Sequence, residues 1–550
     1  MATNIFPGVY TTIVDNSFFI QPLPGAIGYI AFFSEKGPDN QVRLTTSVND
    51  LIETYGKGDP VKYGQGWYVA MQYLTILGSL YTMRVMPNDA KYSCFGLKND
   101  PVLNEAHTLT LSTGPASMGE MKTLLVSNIA DVLFYPTGRG PAYDALSIKL
   151  TKTATSGTGS DYDYTYMLDI FQKMDGYTFD SLIESFTVSF DRDARDMSGE
   201  SMFIEYVLER YSQHLRAVVS DSLLPAHAKA TDFAAPFTGN LYLTGGSFGS
   251  TNIYDHNGYL NNTDPAVISL LAAGYTGYGI YNPLTGDDLR DISDPDVLQF
   301  SIIFDGGYPT PVKDVIVALC ESRRDCMCFL DNGDNVTSTQ AKAMRNGTHN
   351  YNTMYAALYE PYTKIYDTFT GKYIWMTPVY HVARAFAMTE RDYDLWWPFA
   401  GLNRGMCTGV KEIRYTLAGQ HKDDFKLNQI NPIMRWPAIG DVIWGNWTTL
   451  RRPSVLQNIH VVLCLLYIKR VLEWNLKYFI YEFNDEQTWA IIQSSVNEFL
   501  GEMQSKRALE YYQVSVFATD YDKKLNRCQV SINLKVTGAI EVINITLIAN

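Results

Sequence analysis

The sequence predicts a multidomain protein that combines α/β and α+β architecture, and three observations indicate this fold class. The chain has 550 residues, which is more than one ordinary domain contains. Strand-like and helix-like apolar segments alternate near both ends, whereas part of the intervening region has short strands and glycine-rich linkers. Both ends carry β-forming segments with almost no charge. We therefore expect a core domain built from both ends, with a β-rich domain and an α/β domain inserted into it.

The N-terminal part divides into an arm, residues 1–24, and the first part of the core domain, residues 25–95. Apolar periodicity in the second segment predicts alternating strands and helices. We expect these elements to pack against the C-terminal end of the chain. They are a strand at 26–33, helices at 47–55 and 67–77, and a strand at 79–85.

Residues 96–235 are predicted to form the β-rich inserted domain. Their apolar stretches are short and are separated by polar, glycine-rich linkers, which is typical of strands joined by turns. The predicted elements are strands at 108–112, 124–126, 146–150 and 185–190, and a helix at 203–215.

Residues 236–430 are predicted to form an α/β domain. Two strands on either side of a helix of about a dozen residues form a βαβ unit and imply a parallel sheet. The predicted elements are strands at 240–243, 300–304 and 326–330, and helices at 265–271, 312–322 and 379–388.

Residues 431–550 are predicted to complete the core domain. The stretch 459–468 is apolar on all sides and predicts a buried helix. A second helix is expected after Asn484, whose spacing from Gln487 resembles a capping box. Strict alternation over 528–536 predicts a half-buried strand. The second helix carries an apolar stripe that favours a core face over a partner groove: Trp489, Ile492, Val496, Phe499 and Met503.

Both chain ends are predicted to be strands without a neighbour in the same chain. They are rich in β-branched residues and poor in charge, and such edges are normally covered in natural proteins. We therefore expect each to pair with another subunit. The expected exchange residues are Val9, Tyr10, Thr11, Thr12, Ile13 and Val14 near the start, and Val542, Ile543, Asn544, Ile545, Thr546, Leu547 and Ile548 near the end.

Composition excludes several function classes. A net charge of −14 argues against a protein that tracks nucleic-acid phosphates, which needs clustered Lys and Arg. The seven cysteines are odd in number and scattered, which favours buried free thiols in a reducing cytoplasm. The start of the sequence lacks the features of a secretory signal, and no apolar run approaches the ~20 residues that span a bilayer. We expect neither direct nucleic-acid binding nor membrane insertion.

The segment 245–249 matches the G-x-S-x-G pattern of serine hydrolases, with Ser247 as the nucleophile. A nucleophile elbow must run directly into a helix, but a polar loop follows this segment. A glycine-rich turn is therefore favoured, and an α/β hydrolase using Ser247 is kept as an alternative.

Three other clusters have residues of metal or redox sites but lack the required spacing. The carboxylates of 191–196 are interleaved with arginines, and the loop 331–335 lacks the bidentate glutamate of a calcium loop. Cys326 and Cys328 have no second Cys or His pair at zinc-like spacing. We expect no catalytic residues, no cofactor and no metal.

Several short motifs occur in a fixed order along the whole chain. They are Phe6-Pro-Gly-Val-Tyr10, Gly25-Ala-Ile-Gly-Tyr-Ile-Ala31, Glu35-Lys-Gly-Pro38, Leu243-Thr-Gly-Gly246, Leu427-Asn-Gln-Ile-Asn431, Gly440-Asp-Val-Ile-Trp-Gly445 and Thr448-Thr-Leu450. Together with the helix-helix-strand-strand ending, they make the chain resemble tail sheath proteins of contractile-tailed, T4-like and jumbo bacteriophages. One departure is Asn446-Trp447, where many sheaths have a small residue and an arginine.

This resemblance implies a structural subunit that polymerises helically, in six-fold rings, around a tail tube and contracts to drive the tube through the host envelope for genome delivery. It further implies an outward-facing β-rich domain and a subtilisin-like α/β sheath domain. The implied partners are further copies of the chain, the tail tube protein, and the baseplate and tail terminator proteins. The implied location is the virion tail, after assembly in the host cytoplasm.

In such sheaths the terminal segments complete a sheet in the core domain of neighbouring subunits. The resemblance therefore implies hinges beside the exchanged strands, at Pro22, Pro24, Gly25 and Gly538. A sheath of a related contractile injection system, of bacteriocin or secretion type, is the alternative. The region 185–196 resembles phage sheaths and favours the virion.

Overall fold

The computed structural model describes residues 20, 25–100, 105–156, 163–173, 180–221, 232–234, 237, 239–250, 253–254, 260–278, 280–287 and 290–542. The chain divides into two compact units. The body unit contains residues 26–394 and 399–459, and the C-terminal unit contains Gly25, residues 395–398 and the chain from residue 460.

The described residues of the body unit form twenty strands and nine helices. The strands are β1 (Gly28–Phe32), β2 (Val42–Thr45), β3 (Leu80–Arg84), β4 (Phe95–Asp100), β5 (Glu105–Thr110), β6 (Val132–Pro136), β7 (Leu146–Ser156), β8 (Asp163–Lys173), β9 (Asp180–Ser189), β10 (Leu215–Val219), β11 (Leu241–Tyr242), β12 (Ile302–Phe304), β13 (Met327–Asp331), β14 (Ala356–Glu360), β15 (Thr363–Asp367), β16 (Lys372–Met376), β17 (Met406–Cys407), β18 (Val410–Ile413), β19 (Ile430–Trp436) and β20 (Gly440–Ile443). The helices are α1 (Val48–Tyr55), α2 (Gly66–Leu74), α3 (Met118–Val126), α4 (Ile204–Tyr211), α5 (Pro265–Thr276), α6 (Thr310–Arg323), α7 (Ser338–Asn346), α8 (Val379–Asp392) and α9 (His421–Leu427).

A nine-stranded sheet forms the centre of the body unit, in the order β17-β20-β19-β14-β13-β12-β1-β3-β2. The strands from β19 to β3 pair in parallel, and antiparallel strands lie at the edges. Every residue of β1, β13 and β14 is buried, as expected for a parallel sheet covered on both faces. The predicted βαβ unit, here β12-α6-β13, and its parallel sheet are confirmed.

The first strand of residues 25–95 pairs within the central sheet, and the expected packing of this segment against the C-terminal end stays a prediction. In the structure β1 pairs with β12, with Gly28 opposite Ile302, so this segment belongs to the same sheet as the α/β region. Alternating α/β sequence defines a strand but not its neighbour, because pairing between distant segments leaves no local signal. The five domain boundaries stay predictions.

The β-rich region is confirmed as two four-stranded sheets, β10-β6-β4-β5 and β11-β7-β8-β9, which share one apolar core. One predicted element in it is wrong, and one predicted helix is present but shorter than expected. The stretch 124–126 lies in α3, which begins at the Ser117 cap, whose hydroxyl accepts the N–H of Glu120. The helix predicted at 203–215 ends at Tyr211, and β10 follows from Leu215.

Buried ion pairs join this β-rich region to the central sheet within the body unit. Asp39 accepts hydrogen bonds from Arg139 Nε at 2.5 Å and from Arg84 Nη1 at 3.3 Å. All three side chains are essentially inaccessible to solvent. Loss of one partner of a buried ionic cluster leaves an uncompensated charge, which strongly opposes separation of the parts.

A second buried ionic cluster lies where the parallel strands β12 and β13 end. Lys313 of α6 lies 2.8 Å from Asp331 Oδ1 and 3.3 Å from Asp305 Oδ2. Thr377 Oγ1 donates to the other oxygen of Asp331, Oδ2, and the backbone N–H of Asp331 donates to the same Asp305 oxygen that Lys313 contacts. Burial raises the pKa of the Asp305 carboxyl to about 7; Lys313 opposes this shift, and the charge of Asp331 adds to it.

We expect replacement of Asp305 by asparagine to change the pH dependence of stability. The folded pKa of Asp305 exceeds its unfolded value of about 3.9, so its stabilising contribution is present below about pH 4 and is lost as pH rises through about 7. From pH 4.5 to 8 the wild type should therefore lose stability relative to Asp305→Asn, by at most about 1.4 kcal/mol per pH unit. Thermal unfolding across this range measures the difference.

The matched control is Asp423→Asn, because Asp423 is exposed in the first turn of α9. That variant should follow the wild type at every pH. A constant gap between the wild type and Asp305→Asn would contradict a raised pKa at Asp305.

Candidate assembly site

The described part of the C-terminal unit contains three helices and two strands. They are α10 (Ile459–Leu476), α11 (Glu486–Ser505), β21 (Leu509–Phe517), α12 (Asp520–Lys524) and β22 (Gln529–Val536). The predicted buried helix, second helix and half-buried strand are therefore present, each with somewhat different bounds.

The cap of α11 is Asp485, one residue after the predicted Asn484. Asp485 has extended backbone geometry and its side chain accepts the N–H of Thr488 at 2.9 Å, as an N-cap should. The side chain of Asn484 is used elsewhere. It accepts from Trp489 Nε1 and donates to the carbonyl of Arg527, so it ties the start of α11 to the turn before β22.

The apolar stripe of α11 is confirmed as a core face. Ile492, Val496, Phe499 and Met503 are buried, and Trp489 is half-buried. The ring of Phe499 lies 6.4 Å from that of Tyr467 on α10. The two helices are thus held by apolar packing, which is the main source of helical stability in proteins.

The strands β21 and β22 form an antiparallel hairpin, with Val514 opposite Ile532. The connecting turn is fixed by a capping box between Thr519 and Asp522 at α12. Side-chain amides of α11 hold β21 in place: Gln493 donates to the carbonyl of Val514 at 3.2 Å, and Gln504 to that of Glu510 at 2.9 Å.

Within the described residues this sheet has only two strands, so each strand has one edge without a strand beside it. The alternate residues of β22 are only half-buried, and the residues between them are exposed. A two-stranded hairpin is marginal by itself, and unpaired edges accept further strands. The arrangement can therefore bind extended segments by backbone hydrogen bonds. The half-buried residues of β22 are Val530, Ile532, Leu534 and Val536.

Most of the predicted exchange and hinge residues lie outside the described residues. This applies to Val9–Val14, Ile543–Ile548, Pro22 and Pro24. Val542 is described and exposed. Of the other expected hinges, Gly538 is exposed just after β22, with no atom within 4 Å of the position that a Cβ would take, and Gly25 accepts a hydrogen bond from Arg470 at 2.6 Å. Strand exchange and hinge motion stay predictions.

Sequence reasoning did not identify β21, although β21 supplies half of this sheet. The signal in its sequence is the alternation that includes Val514 and Val516, both buried. The tyrosine pair at 511–512 obscures the pattern, because Tyr511 is exposed while the Tyr512 hydroxyl donates to the carbonyl of Asn497 on α11.

Ser247 lies in a bridge between backbone segments and not in a nucleophile elbow. Its N–H and C=O pair with the backbone of Lys91. Flanking Gly245 and Gly249 have φ of 87° and 79°, which is the left-handed region that favours glycine. A side chain on Gly245 would also meet backbone atoms within 3 Å. The segment is thus a glycine-rich turn that forms a backbone bridge to Lys91.

The other sequence clusters have structural roles. Asp331 of the loop 331–335 pairs with Lys313, and Asn335 donates to Glu360. The thiol of Cys326 lies 3.7 Å from that of Cys320, and both are buried. Among the residues that the structure describes, no group of three or more His, Cys, Asp or Glu is arranged to hold a metal ion. No described helix is both long and apolar enough to cross a bilayer.

The chain is similar to known tail sheath proteins. No family model matches it. The tail sheath protein of Vibrio phage KVP40 is 25% identical over 333 residues, which cover 53% of this chain and 50% of that relative. The tail sheath protein of Enterobacteria phage T4 is 20% identical over 398 residues, which cover 70% of this chain and 56% of that relative. The chain thus spans about half the length of the curated relatives it matches.

Solved structures share its fold. The sheath tail protein of Listeria innocua covers 94% of both chains with a TM-score of 0.56 at 10% identity. That of Desulfitobacterium hafniense covers 92% of this chain and 93% of its own, with a TM-score of 0.51 at 10% identity. The fold is therefore that of sheath tail proteins. In sequence the chain is similar to phage tail sheath proteins over about half of their length.

Removal of a buried side chain from the core of the C-terminal unit should lower the stability of this unit and therefore of the candidate assembly site. Phe499→Ala removes a buried ring that packs against Tyr467 of α10, and we expect a loss of about 3–5 kcal/mol of unfolding free energy. The matched control on the same helix is Ile491→Ala, because Ile491 is 41% exposed and should cost less than about 1 kcal/mol. Urea unfolding measures both. Equal losses would show that the face of α11 is misassigned.

Proposed function

We propose that this chain is the structural subunit of a contractile phage tail sheath. It polymerises helically around a tail tube and contracts to drive the tube through the host envelope. The homology to phage tail sheath proteins, together with the sheath tail protein fold, supports this proposal. The observation that carries it is the sheet of the C-terminal unit, which among the described residues has two strands and an unpaired edge on each.

Subunits join by strand exchange at this sheet. The N-terminal segment Val9–Val14 of one neighbour and the C-terminal segment Val542–Ile548 of another add to β21 and β22 as further strands, which is β-augmentation. Each added strand forms about 4–6 backbone hydrogen bonds, each contributing ~0.5–1.5 kcal/mol net. Burial of the half-exposed face of β22 adds to this. The connection is made by the backbone and therefore persists while the rest of the subunit moves.

Contraction is a rigid-body movement of subunits that stay connected. Pro22, Pro24, Gly25 and Gly538 act as hinges beside the exchanged strands, and the body unit rotates as a block. The extended sheath is kinetically trapped at assembly, and release at the baseplate lets each subunit reach a better-packed lattice. A small free-energy gain per subunit, summed over the polymer, supplies the work.

The partners of the subunit are further copies of itself, the tail tube protein, and the baseplate and tail terminator proteins. The subunit assembles in the host cytoplasm and is located in the virion tail. It contacts neither nucleic acid nor the interior of a membrane, and it works without catalytic residues, cofactor or metal.

Proline in the terminal segments should abolish polymerisation without unfolding the subunit. Proline removes a backbone donor that an added strand needs. We expect Thr12→Pro, Asn544→Pro and removal of residues 541–550 each to prevent tube formation in negative-stain electron microscopy, with an unchanged thermal unfolding midpoint. Thr3→Pro, which lies before the predicted strand, is the control and should form tubes. Normal tubes from all these variants would exclude strand exchange as the joint.

The variant Ser247→Ala distinguishes a structural protein from a serine hydrolase. The Ser247 hydroxyl accepts a hydrogen bond from the N–H of Gly249 at 3.4 Å, which is a weak contact, so its loss should cost less than about 0.5 kcal/mol. Tube formation should be unaffected. Hydrolysis of ester substrates by the wild type that disappears in Ser247→Ala would contradict a purely structural function.

A further inference from the structure

An exposed apolar tip joins α10 to α11 in the C-terminal unit. We define the apolar tip as Tyr478, Ile480, Tyr481 and Phe483. All four side chains are exposed, Tyr481 completely and Phe483 by 83%. Large contiguous apolar surfaces on a soluble subunit mark sites that bind something.

Two features show that the tip is a fixed surface. Asn484 next to it donates to the carbonyl of Arg527 at 3.1 Å, so the tip is tied to the turn that precedes β22. Tyr481 has φ of 75°, a left-handed conformation that a tyrosine rarely adopts. The Tyr481 ring is fully exposed, so packing of this ring against other described residues does not explain the strained backbone.

The N-terminal arm begins beside α10, the helix that leads to this tip. Arg470 of α10 donates to the carbonyl of Gly25 at 2.6 Å, which fixes the point from which residues 1–24 depart. From Arg470 to the end of α10 at Leu476 the helix rises about 9 Å, and the 3₁₀ turn that follows adds about 4 Å up to Tyr478. The eleven residues from Val14 to Gly25 can extend over about 36 Å, so the arm of the same chain easily reaches its own tip.

The composition of the arm matches the tip. The first charged side chain of the sequence is Asp15, and the preceding residues include Phe6, Val9, Tyr10 and Ile13. Such a segment has no charge to desolvate when it docks on an apolar surface. Aromatic side chains on both sides also favour edge-to-face contacts.

We infer that in the unassembled subunit residues 5–14 dock on the apolar tip of their own chain. Docking covers the tip and holds the arm away from other subunits, and assembly requires the arm to leave. The consequence for assembly rests on the proposed function, whereas the docking is a property of the single subunit and is tested on it alone.

The chain's own arm, and not a second subunit, occupies the apolar tip, because the arm is tethered nearby and therefore has a higher effective concentration. A segment tethered a few nanometres from a surface reaches millimolar effective concentration, far above that of a second subunit at micromolar concentration. A second copy of the chain is the competing occupant, and the experiment distinguishes the two by mass and by concentration dependence.

Photocrosslinking of the full-length, unassembled subunit tests the inference. Tyr481 is replaced by photoreactive p-benzoylphenylalanine, and the same residue replaces Tyr366, exposed on β15, as the matched control. Trypsin then releases the N-terminal segment as residues 1–36, because Lys36 is the first basic residue. We expect a crosslink from position 481 to residues 5–14 within a species of monomer mass, with a yield independent of protein concentration, and none from position 366.

A second measurement uses the dye anilinonaphthalene sulfonate, which fluoresces on exposed apolar surface. Removal of residues 1–19 should raise the dye signal at least twofold, and Ile480→Ser with Phe483→Ser should cancel the increase. Dimer-mass crosslinks that grow with concentration, no crosslink to the arm, or an unchanged dye signal would each overturn the inference. Tube formation could still be normal in those cases, so such a failure is distinct from failure of the proposed function.

Discussion

Backbone hydrogen bonding at the edges of β21 and β22 is the main physical constraint on this protein. Each strand of a two-stranded sheet has one edge whose N–H and C=O groups need partners, and desolvating them without partners is costly. In the central sheet of the body unit, by contrast, β1, β13 and β14 are buried throughout and each is paired on both edges. In the C-terminal unit, the side-chain amides of α11 hold β21 in place and the apolar residues of β22 are only half-buried. Among the described residues this sheet has only two strands. Further strands from other subunits would complete it.

The body unit has the opposite character. Its parallel strands are buried on both faces, and two clusters of buried charged residues pair within it. Asp39 holds Arg84 and Arg139 between the central sheet and the β-rich region, and Lys313 lies between Asp305 and Asp331 at the ends of β12 and β13. Such clusters tolerate little relative movement, because separating the partners would leave uncompensated buried charges. The movement of the body unit as a block, which we propose, would depend on this rigidity.

Local patterns made most of the fold predictable from the sequence. The βαβ unit around α6, the stripe of α11 and the alternation in β22 are all signalled by apolar periodicity over one element. Errors arose where the periodicity was short. The stretch 124–126 has too few residues to separate a strand from a helix, and only the Ser117 cap decides it. In β21 the tyrosine pair at 511–512 interrupts the alternation of buried and exposed residues, so the strand was not predicted.

Long-range pairing was not predictable from one sequence. Nothing in the sequence of β1 indicates that it lies beside β12 rather than beside the C-terminal hairpin. The candidate site was predicted in part: β22 was identified, but its partner β21 was not. The exchange residues Val9–Val14 and Ile543–Ile548 lie outside the described residues, so their role rests on their uncharged, β-forming composition and on the open edges of the hairpin.

A helical reconstruction of the assembled polymer by cryo-electron microscopy would show directly whether subunits are joined by exchanged strands. We expect the sheet of β21 and β22 to gain two strands in the polymer, one from residues 9–14 of one neighbour and one from residues 542–548 of another. A polymer in which this sheet keeps two strands, with subunits joined only through side chains of the body unit, would contradict it.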